Sequence, residues 1–411
     1  MISERRVAIV TGSNAGVGYA IVQRLVRESP EPLTVILACR NKTRAQEALL
    51  SLEIYFQRLQ KDQQQQQQRQ RQRKNTSKHD DSHSFFHYPE LRIELVDVGS
   101  AASVLAFNRR ILEQYNRVDY LFCNAGILPS VGLLWGKLAL DFVTKPKTLF
   151  TRSDVLVQPK QHLTEDGLGN VLACNVFGHY LMIKGLEDVL SRTEDDPGRV
   201  IWTSSMTAEK ASFDIQDWQG LESVQPYESS KWVTDLVAIR LNDVWSGRIS
   251  GESDSVSSSV SESNISQIDN SVANRRVTRS SSKQAFASPT WNAPKKHIIS
   301  ITTHPGVVAS GIGGLAFWIV LLRVGAHYFV RLIGEASQTI TSYHGALSNS
   351  YVALKTPVDK LDPRSRYGSC VKPFGQEFLE VKKVLEYEEG QAKVVMDELE
   401  KLRLKFTANS S

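Results

Sequence analysis

The chain has 411 residues and a formal net charge of +5, from 49 Lys and Arg against 44 Asp and Glu. Two segments, residues 57–85 and 246–290, hold the whole of this excess, and the rest of the sequence is neutral. The charge therefore gives no reason to expect a surface for nucleic acid. The first segment is rich in Gln and the second in Ser, and neither can bury enough apolar surface to offset the entropy lost on ordering, which predicts two disordered insertions.

Short β-branched runs alternate with helical patterns along the remaining chain, which predicts β-α-β units around a parallel sheet. The predicted strands are residues 6–10, 33–38, 91–96, 118–122, 199–203 and 297–302. The predicted helices are residues 17–28, 42–60, 101–115, 164–191 and 226–245. We therefore expect an α/β fold with a doubly wound, Rossmann-type parallel sheet in a single domain, residues 1–356. Residues 357–411 are expected to form a C-terminal extension with a charged helix.

The N-terminus and the cysteines indicate a cellular compartment. The first residues lead directly into an apolar strand pattern at residues 7–10, without the features of a signal peptide, so secretion by that route is not expected. The four cysteines are widely spaced and form no C-x-x-C pair. They are typical of buried residues in a reducing compartment.

A glycine-rich turn, Thr11-Gly-Ser-Asn-Ala-Gly-Val-Gly18, follows the first predicted strand. Glycines let the backbone turn tightly and approach a pyrophosphate, which then lies at the positive end of the next helix. Such a turn can also be a plain strand–helix connection, but its position between a strand and a helix favours a dinucleotide site. The predicted cofactor contacts here are Gly12, Ser13, Asn14, Gly16, Val17 and Gly18.

The end of the second strand indicates which dinucleotide binds. An acidic residue at this position holds the ribose 2′-hydroxyl of NAD, whereas an Arg accommodates the 2′-phosphate of NADP. Arg40 takes this position, and Lys42 and Arg44 follow closely. We therefore expect NADPH as cofactor and reduction as the working direction. The alternative is that Arg40 is a solvated loop residue.

Two polar motifs follow the next strands: Asp97 after the third, and Asn124-Ala-Gly126 after the fourth. Both are expected to line the ligand crevice, because this crevice lies at the carboxyl ends of the strands in an open α/β sheet. In order, the motifs of this chain resemble those of the short-chain dehydrogenase/reductase family over about residues 5–310. The matching positions are Thr11–Gly18, Asp97, Asn124–Gly126, Asn175, Ser205, Tyr227–Lys231 and Pro305–Gly306.

The pattern Tyr-x-x-x-Lys begins at Tyr180, Tyr227 and Tyr351, and each pair shares one helical face. Only Tyr227 follows the strand end at Ser205, so the other two pairs are interpreted as packing residues. A nearby ammonium favours the phenolate, so Lys231 is expected to lower the pKa of Tyr227. Tyr227 can then act as the proton donor, with Lys231 also binding the nicotinamide ribose and Ser205 polarising the substrate carbonyl. No metal is needed for this chemistry.

The family resemblance implies roles for two further sites. Asn175 corresponds to the residue that anchors a water in the proton relay; its local alternative is a helix residue that is satisfied by its neighbours. Pro305, Val308 and Ser310 lie in the segment that grips the nicotinamide carboxamide, where Ser310 replaces the usual Thr.

Residues 307–333 form a long apolar segment, and no charged side chain occurs between Pro305 and Leu322. That length is near the lower limit for crossing a bilayer, but the Pro and the glycines disfavour a transmembrane helix. The segment is interpreted as an apolar lid over the site, a monotopic membrane contact, or an ordinary buried helix. A lid beside the nicotinamide implies a large, oily ketone.

A narrower resemblance is to the 3-keto-steroid reductases of sterol biosynthesis. It is seen in the long insertion after Gly126, in Val200–Ser205, in Pro226–Lys231 followed by Asp235, and in the apolar segment. It implies NADPH-dependent reduction of a sterol 3-keto group to a 3β-hydroxyl during C-4 demethylation, beside the other enzymes of that sequence. It also implies a membrane surface, at the cytosolic face of the endoplasmic reticulum or at lipid droplets. The alternatives are reduction of another lipid carbonyl, such as a retinal or fatty ketone, and a cofactor-binding scaffold without turnover.

Overall fold

The computed structural model describes residues 5–73, 87–145, 155–160, 162–247, 296–309 and 317–408. Eight of its strands form one sheet: β1 (Arg6–Thr11), β2 (Leu33–Cys39), β3 (Glu90–Leu95), β4 (Tyr120–Cys123), β7 (Gly198–Thr203), β8 (Ile298–His304), β9 (Ser365–Val371) and β10 (Glu377–Lys383). Two short strands, β5 (Gly132–Leu133) and β6 (Leu156–Val157), pair antiparallel as a separate hairpin.

The strand order of the large sheet is β10-β9-β8-β7-β4-β1-β2-β3. All neighbours are parallel except the antiparallel pair β9 and β10. The chain runs outward from β1 to β3 on one side and then returns to β4 on the other. The order therefore reverses between β1 and β4, which is where a doubly wound sheet opens its ligand crevice.

Helices cover both faces of the sheet. They are α1 (Gly16–Glu28), α2 (Lys42–Arg73), α3 (Ala101–Gln114), α4 (Trp135–Thr144), α5 (170–190), α6 (Pro226–Trp245), α7 (Phe317–Leu332), α8 (Ser342–Gly345), α9 (Leu347–Leu354) and α10 (Glu389–Ala408). Side chains of a strand alternate between faces. Thus Val7 and Ile9 of β1 join one core with α3, α5, α6 and α10, while Ala8 and Val10 join the other core with α1, α2 and α9. The predicted doubly wound α/β fold is confirmed.

The structure differs from the predicted elements in the Gln-rich segment and in the insertion after Gly126. Helix α2 continues to Arg73, into the Gln-rich segment that was expected to be disordered, because Gln, Lys and Arg favour helix and the segment contains no Gly or Pro. The hairpin β5–β6 and helix α4 lie in the long insertion after Gly126. Most of the Ser-rich segment, from residue 248 on, lies outside the described residues.

The sheet also continues beyond residue 356, where the sequence indicates only an extension. Strand β9 is inserted beside β8, and β10 forms the edge of the sheet. Their sequences show no clear alternation of apolar and polar residues, and β10 is stabilised by its pairing with β9. A charged helix, α10, follows this strand and covers Glu389–Ala408.

Helix α10 packs on the core beside α6, with Val395 and Leu399 fully buried. Tyr180 of α5 donates a hydrogen bond to Glu400, at 2.7 Å. Among the described residues, no helix has both the length and the apolar character needed to cross a bilayer.

Leu399→Ala is expected to lower the free energy of unfolding by about 2–5 kcal/mol, since it removes a fully buried side chain and leaves a cavity. Urea unfolding would measure this loss. Leu404→Ala is the matched control, because Leu404 lies on the same helix and is 49% exposed. Equal stability of the two variants would contradict the packing of α10 on the core.

Candidate active site

The glycine-rich turn leaves the start of helix α1 open to an anion. Gly12 and Gly16 have φ of +67° and +57°, which only glycine adopts readily. A Cβ on Gly18 would lie 2.4 Å from the carbonyl oxygen of Gly12. The residue before the helix, Ala15, offers no side-chain cap. The first N–H groups of α1 are therefore available to a phosphate.

The predicted contacts of this turn are not all equivalent. Ser13 is fully buried, and its hydroxyl lies 3.3 Å from the sulfur of Cys39. Asn14 and Gly16, by contrast, line an open pocket of about 480 Å³ together with Tyr19, Arg44 and Ser51. Arg44, which the sequence places after Arg40, thus reaches the pocket at the start of α1.

Arg40 and Asp97 lie together at the strand ends. The Arg40 side chain is 75% exposed, and its Nη1 is 3.8 Å from Asp97 Oδ2. Such an exposed pair is weak, so the guanidinium can turn toward a ligand at little cost. Asp97 accepts a hydrogen bond from the backbone of Gly99 at 2.9 Å, which fixes the loop after β3.

The hydroxyl of Thr11 joins the ends of β1 and β4. It accepts hydrogen bonds from the backbone N–H groups of Asn124 and Ala125, both at 2.9 Å. The Asn124 side chain donates to the Thr11 carbonyl at 3.0 Å. His179 Nε2 lies 2.9 Å from the same hydroxyl, and burial lowers the pKa of His179 to about 3, with the charge of Lys231 adding to this effect. The neutral imidazole therefore belongs to this network, a role that sequence reasoning missed.

Asn175 lies in a π-helical turn, residues 173–177, within α5. Its Oδ1 accepts from the backbone N–H of Ile127 at 2.8 Å, and its Nδ2 donates to the Ile127 carbonyl at 3.1 Å. Nδ2 also donates to Ser230 at 3.0 Å. Asn175 thus joins the segment after β4 to the helix that carries Tyr227. Its role as a water anchor stays a prediction.

Tyr227, Lys231 and Ser205 meet where β7 ends. The Ser205 hydroxyl is near enough to that of Tyr227 to lower its pKa, and it lies 2.9 Å from the Thr207 hydroxyl. Lys231 Nζ donates to the Thr203 carbonyl at 2.7 Å and lies 5.6 Å from the centre of the Tyr227 ring. The three residues that the sequence predicts as catalytic are therefore adjacent.

The prediction that the pKa of Tyr227 lies below its usual value is wrong for this structure. Burial and then the charge of Glu228 raise the pKa of Tyr227 to about 12, against a lowering effect of the Ser205 hydrogen bond. Burial lowers the pKa of Lys231 to about 8. Tyr227 is thus a phenol at neutral pH, the form that can donate a proton.

Gln158, just after β6, joins the inserted hairpin to helix α6, which contains Tyr227. Its Oε1 accepts from the backbone N–H of Tyr227 at 3.1 Å, and its Nε2 donates to Glu228 at 2.7 Å. Glu228 is buried at the first turn of α6. Sequence reasoning missed Gln158, because nothing near residue 158 marks a contact with residues 69 positions later.

The segment after β8 is held by residues of a later loop. The Thr339 hydroxyl lies 2.8 Å from the Pro305 carbonyl and 3.1 Å from that of Val307. Val308 pairs with Ile340, whose φ of +67° is unusual for a β-branched residue. Pro305 and Val308 therefore lie at the same sheet edge as the other motifs. Ser310 lies outside the described residues.

Comparisons with known proteins find relatives that are named as 3-keto-steroid reductases. No family model matches the chain. The chain is 32% identical to human 3-keto-steroid reductase/17-beta-hydroxysteroid dehydrogenase 7 over 58% of its length, which spans only 61% of the human protein. The rat protein is 27% identical over 92% of this chain and 90% of its own length. The 3-keto-steroid reductase of Aspergillus fumigatus is 26% identical over 87% of this chain and 75% of its own length.

Among solved structures, the chain is similar to the NADPH-bound carbonyl reductase from chicken fatty liver. The identity is 16%, the coverage is 91% of this chain and 98% of that chain, and the TM-score is 0.46. The predicted resemblance to the short-chain dehydrogenase/reductases, and among them to the 3-keto-steroid reductases, is confirmed by the sequence relatives.

Gln158→Glu is expected to destabilise the protein, because it places a second carboxylate against the buried Glu228. Adding Glu228→Gln should restore stability, since donor and acceptor are then exchanged. A double-mutant cycle on melting or urea unfolding should give a coupling energy of about 0.5–3 kcal/mol. Glu222→Gln is the control, because Glu222 is 79% exposed and pairs with Lys160 of the same segment. Additive effects of Gln158→Glu and Glu228→Gln on stability would contradict a direct interaction between these two side chains.

Proposed function

We propose that this protein reduces the 3-keto group of sterol intermediates to a 3β-hydroxyl with NADPH. The observation that carries the proposal is the meeting of Tyr227, Lys231 and Ser205 at the crevice of a doubly wound sheet. The relatives named above, which carry 3-keto-steroid reductase names, support the choice of substrate. Because the match spans less than two thirds of the human protein, the activity of that whole protein is part of the proposal.

The residues at the crevice fit a dinucleotide with a 2′-phosphate. The uncapped start of α1 suits the pyrophosphate, and the glycines leave no Cβ where the chain must come close. Arg40 and Arg44 are the cations that would hold the 2′-phosphate, Arg40 exposed at the strand ends and Arg44 in the pocket beside Asn14. Asn124, Pro305 and Val308 lie at the same edge and would contact the nicotinamide end of the cofactor.

The side chains of the site divide the work of ketone reduction. A bound NADPH supplies the hydride. Ser205 donates a hydrogen bond to the substrate oxygen, and Tyr227 donates its proton to that oxygen as negative charge develops. Lys231 provides a buried positive charge beside Tyr227, which stabilises the phenolate that remains.

Exposed apolar side chains on the inserted hairpin, on α4 and just before α6 support a large, oily substrate. The inserted hairpin adjoins Tyr227 through Gln158, and it brings Val131 and Leu134 to the surface, 69% and 45% exposed. Leu140 on α4 and Val224, three residues before Tyr227, are also exposed. A sterol ring system would cover these side chains. The same side chains would suit another lipid ketone, which is the second candidate function.

The apolar segment after Pro305 supports a contact with a membrane surface. On α7, His327, Val330 and Arg331 are buried, whereas Phe329 and Leu332 are 55% and 61% exposed. A helix with one exposed apolar face can lie in the plane of a bilayer surface. We propose that this face contacts the cytosolic side of the endoplasmic reticulum or a lipid droplet. There the protein would meet its substrate and the other C-4 demethylation enzymes.

Tyr227→Phe is expected to lower kcat/KM for a 3-keto sterol by roughly 10²–10⁴-fold, because it removes the proton donor. The assay follows NADPH oxidation by the purified protein together with formation of the 3-hydroxy sterol. Tyr351→Phe is the matched control, because Tyr351 begins another Tyr-x-x-x-Lys pattern on the partly exposed helix α9 and should leave activity unchanged. Equal activity of the two variants would refute the catalytic role, and a preference for NADH would refute the cofactor.

Replacing Phe329 and Leu332 together by Ser is expected to reduce flotation of the protein with phosphatidylcholine vesicles, because the apolar face of α7 is lost. Leu385→Ser is the control, since Leu385 is 86% exposed but lies after β10, away from α7. Flotation that is unchanged by the double replacement would exclude this face as the membrane contact.

A further inference from the structure

Asp235 and Arg366 form a buried charge pair that the chemistry above does not use. Asp235 lies on α6, one helical turn after Lys231, and is fully buried. Its carboxylate is in contact with the guanidinium of Arg366 on β9, and the Arg366 side chain is 14% exposed. Arg366 also donates to the Ala208 carbonyl at 3.1 Å. The pair therefore joins a late strand of the sheet to the catalytic helix.

This pair is not arranged for stability alone. Burying two charges costs free energy that their attraction returns only when the remaining polar atoms are also hydrogen-bonded. Among the described residues, Asp235 Oδ1 and Arg366 Nε have no hydrogen-bond partner. An apolar pair of similar size would serve packing as well, so the charge of Asp235 calls for another explanation.

We propose that Asp235, held by Arg366, is a positioning residue that keeps Lys231 charged in its buried site. This inference rests on the reduction proposed above, in which the ammonium of Lys231 stabilises the phenolate of Tyr227. Residues four apart on a helix are neighbours, so the carboxylate lies on the same face as Lys231.

The electrostatics of the site agree with this geometry. Burial lowers the pKa of Lys231 to about 8, and Asp235 opposes that effect. Burial likewise raises the pKa of Asp235, and Arg366 opposes it, which favours the carboxylate. The other titratable groups that face Lys231 are Tyr227, the buried thiol of Cys123 and His179. The pKa of Cys123 is raised and that of His179 lowered, so both are neutral near pH 8.

The chain contains a natural control for this pair. Asp243 lies two turns further along α6, and its carboxylate is 3.2 Å from Nη2 of Arg364, just before β9. Both pairs join the same helix to the same region of the chain. Arg364 is 50% exposed, and Asp243 does not adjoin Lys231. Only the Asp235 pair should influence the charge of Lys231.

The test is the pH dependence of kcat/KM for NADPH-dependent reduction of a 3-keto sterol. Activity of the parent protein should fall as the pH rises through about 8, where Lys231 loses its proton. Asp235→Asn removes a negative charge that favours the ammonium, so this alkaline limb should move to lower pH by about one unit. Arg366→Met should move it in the same direction, because the buried carboxylate then takes up a proton.

The control Asp243→Asn should leave the limb in place even if it lowers the melting temperature. If the alkaline limb of the kcat/KM profile of Asp235→Asn coincides with that of the parent protein, the proposal is overturned. An equal shift for Asp243→Asn would also overturn it, since that would indicate a general effect of a loosened helix.

A second measurement separates this inference from the proposed function. NMR titration of lysine Cε signals, with the Lys231 signal assigned by Lys231→Met, gives the pKa of Lys231 without any substrate. A lower pKa in Asp235→Asn supports the inference even if the parent protein reduces no sterol, and an unchanged pKa refutes it.

Discussion

The whole crevice depends on the hydrogen bonds of one side chain, the hydroxyl of Thr11. It holds the backbone of Asn124 and Ala125 against the end of β1, so that the two strands on either side of the topological reversal end together. The glycine turn begins at the next residue, and the motif after β4 begins at Asn124. A hydroxyl can accept both N–H groups, whereas an apolar side chain would leave the Asn124 N–H with only the Phe122 carbonyl and the Ala125 N–H without this acceptor. An unsatisfied N–H costs about 1–3 kcal/mol.

Helix α6 carries ionisable side chains inside the protein, and each of them needs a polar partner. Nearly all of α6 is buried, including its charged residues Glu228, Lys231 and Asp235. Each of these is matched by a group from another element: Gln158 for Glu228, the Thr203 carbonyl for Lys231, and Arg366 for Asp235. The helix is therefore fixed along its length by polar contacts with the inserted hairpin, β7 and β9, and not by apolar packing alone.

The parts of this site that sequence can predict are those with a local signal. The alternation of strands and helices indicated a doubly wound parallel sheet, and a strand end before Ser205 distinguished Tyr227 from Tyr180 and Tyr351. Gln158 and Arg366 could not be predicted, because each acts through a contact with residues far away in the chain. The raised pKa of Tyr227 was also missed, since burial depends on the complete fold and not on the spacing to Lys231.

The late position of β9 has a consequence for how the chain can fold as it is made. Ribosomal synthesis proceeds from the N-terminus, so α6 emerges well over a hundred residues before Arg366. Until β9 has been synthesised, the Asp235 carboxylate lacks the guanidinium of Arg366 as its partner. Until α10 has been synthesised, the apolar face that it covers is exposed to solvent. The core therefore cannot close before the residues of β9 and α10 have been synthesised. The nascent chain must therefore keep an incomplete sheet and an exposed apolar surface in solution. Chaperones act on intermediates of this kind.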